Sequence, residues 1–209
     1  MWNALMFGML SLSVVGVELP EADQLRAQVP VFAEQYGLQQ DRVRISKIDQ
    51  EHPSPFLTRA NGKYCFVHIN QDSNAKVLWS YLVNHSNSAY KDAFTSFSMG
   101  HELTHCLLGQ AGKRWIYRKK LEEHLGTKFE DNIQFEEALA DVLGISHVQN
   151  THPELAGEVL SRLRQIRKDF SSRDKLHDSS SLLTVEKIRE ISALFAPEII
   201  KEFVARSSN

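Results

Sequence analysis

The stretch "FSMGHELTHCLLGQ", Phe97 to Gln110, contains His-Glu-x-x-His as His101, Glu102 and His105. Histidines at i and i+4 lie on one face of a helix, a turn apart, so both imidazoles can reach a single tetrahedral metal. Glu102, one residue along from His101, can reach a metal-bound water without taking a coordination position, which is what a general base requires. Zinc lowers the pKa of such a water toward neutrality, and the carboxylate takes its proton as the water attacks a polarised carbonyl. So short a motif recurs by chance across proteomes, and two surface histidines on a polar helix face would explain it plainly. The flanking residues oppose that explanation. Phe94, Phe97, Met99, Leu103, Leu107 and Leu108 make the helix apolar on most sides. Unpartnered imidazoles and a carboxylate are costly to bury there, and a metal accounts for them.

A catalytic zinc needs a third protein ligand. One arrangement draws it from a histidine further along the same segment, after a glycine, at the positions that Ala111 and Leu108 occupy here, and is therefore excluded. Another draws a glutamate from a later helix, and "QFEEALADVLG" offers Glu136, Glu137 and Asp141. Glu137 and Asp141, at i and i+4, share a face. One can bind metal while the other hydrogen-bonds a ligand imidazole. Glu136 points elsewhere and is expected on the solvent side. In the absence of the motif helix, two acidic residues on an exposed face would need no further explanation.

Cys106 directly follows His105 and is turned about 100° off the histidine face, which removes it as a ligand. With Cys65 it permits a disulfide in an oxidising compartment, but two buried thiols are the ordinary expectation. Stabilising an oxyanion beside the metal calls for a further group. Tyr117, His124, His147 and His152 have the right chemistry, and no spacing selects among them, so this role stays unassigned.

Taken together, "HELTH" and the downstream "EALAD", Glu-x-x-Ala-Asp, resemble the glutamate-zincin metallopeptidases. The similarity is closest to the group holding the CAAX prenyl proteases, the heat-shock membrane protease and their soluble periplasmic relatives. It covers roughly Phe94 to Gly144 and nothing in the N-terminal third. The resemblance implies one Zn2+ per chain held by His101, His105 and Glu137, with Glu102 as base and Asp141 behind a ligand. Members often carry Thr-His-Pro further on, and Thr151-His152-Pro153 matches it, although close to Asp141. The arginine that should follow is displaced to Arg162 or Arg164. Capping of the next helix by Thr151, with Glu154 in capping-box spacing and Pro153 in the first turn, explains the tripeptide without catalysis. The group's integral membrane helices have no counterpart here. In zincins an edge strand beside the motif helix holds the substrate backbone, and "YCFVHIN" or "KVLWSYLV" is the candidate.

The elements that must carry these residues follow from periodicity. "PEADQLRAQVPVFAEQYGLQQ" reads as helix, broken or kinked near Pro30. "DRVRISKID" and "YCFVHIN" read as strands, and the Pro- and Asn-Gly-containing "EHPSPFLTRANGK" as a loop or hairpin turn. "AKVLWSYLVN" is compatible with a buried strand or a short helix. One helix runs from Tyr90 to about Gly109. Others cover "RWIYRKKLEEHL", "EDNIQFEEALADVLGISHVQ" with Ile133, Leu139, Val142 and Leu143 for the core, and "THPELAGEVLSRLRQIRKDF". A polar linker over 170–182 precedes one or two C-terminal helices. The expected class is α+β and zincin-like: a small antiparallel or mixed sheet, then a mostly helical metal-binding part.

At 209 residues the chain suits a single domain, assigned to 18–209. A net charge of −2 gives no electrostatic case for nucleic acid or an anionic membrane. The basic run Arg118-Lys119-Lys120 is followed by Glu122 and Glu123, as on a solvated helix face. Residues 1–17 are largely apolar and too short to span a bilayer. They fit a signal peptide with Val14 and Gly16 at the cleavage site, although no Lys or Arg precedes the run. Export to the periplasm or beyond follows from that reading. A helix on the core or at a membrane surface is the alternative, leaving the chain cytoplasmic or membrane-associated. No other segment could span a membrane, and the mature chain is expected to be soluble. The sequence thus points to a zinc metallopeptidase acting on a protein or peptide. The alternatives are a non-catalytic zinc-containing binding or chaperone-like module, and an accidental motif in a metal-free interaction domain.

Overall fold

The computed structural model describes residues 17–83, 87–110, 113–171 and 179–207. The apolar N-terminal run up to residue 16 lies outside them, with its cleavage positions, as do residues 172–178 of the polar linker. The order is α1 (Ala22–Tyr36), β1 (Val43–Ile48), β2 (Phe56–Ala60), β3 (Cys65–Asn70), α2 (Ser73–Val83), α3 (Ser88–Gly109), α4 (Lys113–Leu125), α5 (Asn132–Thr151), α6 (Ala156–Ser171), α7 (Val185–Leu194) and α8 (Pro197–Ser207). The fold is α+β, with a small mixed sheet leading into helices. No helix among the described residues is long and apolar enough to cross a membrane.

The sheet has the order β1-β3-β2, with β1 parallel and β2 antiparallel to β3. Phe56, Val67, Ile69, Val43 and Ile45 are buried and join one core with α1, α2, α3 and α5. Asn61-Gly62 makes the β2–β3 turn: the Asn61 N–H donates to the Tyr64 carbonyl at 3.0 Å and the Tyr64 N–H to Asn61 Oδ1 at 2.8 Å. Gly62 takes φ +80°, a conformation that costs a side-chain-bearing residue energy. β3 lies in the middle of the sheet, so "YCFVHIN" cannot be an edge strand. "KVLWSYLV" is helix α2, with Ala75, Trp79 and Val83 on its buried side. The edge beside the motif helix is β2, within the segment expected to be a loop or turn.

Further expectations change. Of the break or kink expected at Pro30, the break is excluded: α1 runs through Pro30 to Tyr36 and Gly37 ends it at φ +68°. Ile133 is 53% exposed, and Phe135 takes its place in the core. Thr151 does not cap α6, which begins at Ala156. It is the last residue of α5 and returns its hydroxyl to the His147 carbonyl at 3.0 Å. The basic run is less solvated than expected: Arg118, Lys119 and Lys120 are half-buried, and Arg118 pairs with Glu122 at 2.9 Å and donates to the Phe129 carbonyl at 2.7 Å.

Cys65 and Cys106 form a disulfide with Cα atoms 5.4 Å apart, in place of two buried thiols. β3 passes along the side of α3 that carries Cys106, so the strand and the motif helix are joined immediately behind His105. The sulfur of Cys106 is thereby committed away from any metal.

Candidate metal centre

α3 begins at Asn87, whose side chain accepts from the Tyr90 N–H at 2.9 Å, and α5 at Asp131, which accepts from the Gln134 N–H at 2.8 Å. Each cap satisfies a first-turn donor and fixes where its helix starts. The helices then cross with their backbones nearly touching. A Cβ built on Gly100 would lie 2.9 Å from the His147 Cβ and 3.0 Å from the Gly144 Cα, and one on Gly144 would lie 3.0 Å from the Phe97 carbonyl oxygen. Only paired glycines permit that approach. It brings the His101–His105 face of α3 against the Glu137–Asp141 face of α5.

The Nε2 atoms of His101 and His105 are 3.3 Å apart. The Glu137 carboxylate straddles them, Oε2 at 3.5 Å from His101 Nε2 and Oε1 at 3.4 Å from His105 Nε2. Ligands at tetrahedral angles about 2.0–2.1 Å from one ion are separated by about 3.3–3.4 Å, so these three groups have the spacing of a shared metal. His101, His105 and Glu137 are the group among the described residues that could hold one.

Each histidine also meets a carboxylate behind it. His101 Nδ1 lies 3.1 Å from Asp141 Oδ1, and His105 Nδ1 lies 3.8 Å from Glu136 Oε2. Both carboxylates are anchored by arginines from neighbouring helices. Arg167 of α6 donates to Asp141 through Nε and Nη2, both at 2.6 Å, and Arg114 of α4 approaches Glu136 Oε1 at 2.6 Å through Nε. Glu136 is therefore not the solvent-side residue expected from the helix face. Its side chain is 15% exposed and belongs to the surround of His105. The Asp141 contact is within hydrogen-bonding reach and sets the His101 tautomer so that Nε2 faces Glu137, whereas Glu136 at 3.8 Å contributes charge beside His105.

Asp141 is fully buried, and Ser179 donates to its Oδ2 at 2.5 Å. Burial pushes its carboxyl pKa up, but the charge of Arg167 and the hydrogen bonds from His101 and Arg167 outweigh this and hold it well below the usual range. Burial likewise disfavours a charged His101, yet the hydrogen bonds and charges of Asp141 and Glu137 raise its pKa to about 10 in the metal-free chain. The pocket is therefore one that favours a cation.

Glu102 lies beside the ligands on α3, and Thr58 of β2 donates to its Oε2 at 2.5 Å. Neither Thr58 nor Arg167 is distinguishable by sequence spacing. Of the two arginines downstream of Thr-His-Pro, Arg162 donates to the carbonyls of Tyr81 and Leu82, and Arg164 to that of Leu183. The groups considered for the oxyanion are engaged elsewhere. His147 is buried against Gln28, Tyr117 is buried and stacked on Phe195, His124 lies near Glu190, and His152 turns to Thr151.

Against protein-family models, curated proteins and solved structures, the chain matches nothing.

Proposed function

We propose that the chain is a zinc metallopeptidase of the glutamate-zincin type, with a zincin-like arrangement of motif helix, sheet and later ligand helix. The observation that carries this is the meeting of His101 Nε2 and His105 Nε2, 3.3 Å apart, with the Glu137 carboxylate at 3.4 to 3.5 Å, one oxygen to each imidazole, and with Glu102 next to His101 on α3. A zinc ion held there supplies a Lewis acid that acidifies water and polarises a carbonyl. Glu102 removes the proton from the attacking water and hands it to the departing amine. Asp141 keeps the His101 imidazole turned with Nε2 inward, Glu136 adds negative charge beside His105, and Arg167 and Arg114 hold those carboxylates.

An extended peptide fits along β2. Asn61–Tyr64 and Pro55–Asn70 are hydrogen-bonded at the two ends of the β2–β3 ladder. The antiparallel alternation then leaves the N–H and C=O groups of Phe56, Thr58 and Ala60 turned off the free edge. That edge runs alongside α3, with Thr58 at Glu102 and Ala60 against Gly109. Strand addition there would lay a peptide bond beside the metal position. The disulfide favours an oxidising compartment, in keeping with an exported protein.

A structural zinc in a binding or chaperone-like module would be closed by a fourth protein ligand. Glu102 next to the trio favours catalysis, because a purely structural site has no use for a base. Elemental analysis together with hydrolysis of a mixture of internally quenched peptides tests the proposal. Wild-type protein should carry about one zinc and cleave. Glu102→Gln should keep zinc and lose cleavage, and Glu137→Ala should lose zinc. Full zinc occupancy in Glu137→Ala would refute the ligand set.

A further inference from the structure

Thr58 is half-buried on β2, two residues along from buried Phe56 and opposite buried Val67. Its hydroxyl donates to Glu102 Oε2 at 2.5 Å. Among the described residues Glu102 makes no other hydrogen bond or ion pair. A glutamate side chain has considerable rotamer freedom to lose when it is fixed, so a single donor decides where its carboxylate rests. With Oε2 engaged by Thr58, Oε1 is left for the reacting water.

The same residue turns its N–H and C=O off the free edge of β2. We infer that Thr58 is the positioning residue for Glu102, and that it ties the alignment of the base to the occupation of the β2 edge by an extended peptide. This rests on the metallopeptidase reading. A peptide bonding to the Thr58 backbone would steady the strand and, through the hydroxyl, the carboxylate. The base would then be best aligned when the edge is filled.

The test compares Thr58→Val, Thr58→Ser and the wild type on internally quenched peptides, with zinc content measured alongside. Thr58→Val should lower kcat about 100-fold, the scale of a misplaced catalytic group. KM should stay within about twofold and zinc should be unchanged, because only the orientation of the base is lost. Thr58→Ser, which restores the hydroxyl, should recover most of kcat. A readout independent of turnover is a double-mutant cycle of Thr58→Val with Glu102→Ala, followed by unfolding of the metal-free protein. A coupling of about tenfold in the unfolding constant is expected for a hydrogen bond to a carboxylate. An active wild type whose Thr58→Val variant keeps full kcat, or an additive cycle, overturns the role of Thr58 alone. A zinc-loaded wild type that cleaves none of the peptides overturns the metallopeptidase reading, and the positioning role with it.

Discussion

Arg167 grips both carboxylate oxygens of Asp141, which is buried beneath His101. The pair spans α6 and α5, so the support of the first histidine depends on a helix other than the two that carry the candidate ligands. Replacing one member of a buried ion pair costs up to about 3–5 kcal/mol, the upper end applying where nothing else compensates the partner; here His101 and Ser179 stay beside Asp141. Arg167→Met should show a loss of up to that size in urea unfolding of the metal-free protein. Adding Asp141→Asn should recover part of it, because the stranded charge is then gone. Equal losses in the single and double variants would mean that the bidentate contact contributes little.

The glycine pair at the α3–α5 crossing gives a second prediction. A methyl group at Gly100 would lie 2.9 Å from the His147 Cβ and must force the helices apart. Gly100→Ala should therefore destabilise by about 1–3 kcal/mol, the usual range for overpacking. It should also weaken zinc binding, since Glu137 retreats from the histidines. Gly157→Ala is the control: nothing lies within 4 Å of its Cβ, and a helical alanine should be neutral or stabilising. Zinc titration and thermal unfolding of both variants decide the matter.

The disulfide closes a loop with a sequence separation of 41 residues. In the chain-entropy description such a closure is worth about 4 kcal/mol. Reduction, or the Cys65→Ser/Cys106→Ser double variant, should lower stability by an amount of that order and loosen β3 from the motif helix. Comparing urea midpoints with and without reductant measures it. Unchanged midpoints would show that packing alone holds the strand and helix together.

His147 governs stability in mild acid. Burial, followed by the nearby His152, lowers its pKa to about 4, whereas the unfolded chain titrates near 6.5. Between those values the unfolded state binds more protons than the folded one, so stability must fall as pH drops from about 6.5 toward 4. The loss across that window should approach 3 kcal/mol, since each tenfold difference in proton affinity between the two states is worth about 1.4 kcal/mol. His147→Gln should flatten the slope, while keeping an amide that can face Gln28. A wild-type slope retained in the variant would assign the effect to another group.

The sequence by itself determined what is local. Helical periodicity put His101 and His105 on one face and Glu137 and Asp141 on another, and β-branched and aromatic residues marked β1 and β3. Asn61-Gly62 marked the turn. These features depend on neighbours within a turn or two, so composition and spacing suffice. β2 escaped because prolines precede it and its burial does not alternate cleanly. The tertiary structure decided the rest: the choice of Arg167 over Arg162 and Arg164, the inward turn of Glu136 toward Arg114, the disulfide, and the reach of Thr58 to Glu102. Each joins elements far apart in the chain. Whether they meet depends on how closely α3 and α5 can cross and where α4, α6 and the sheet then pack, which a local pattern does not encode.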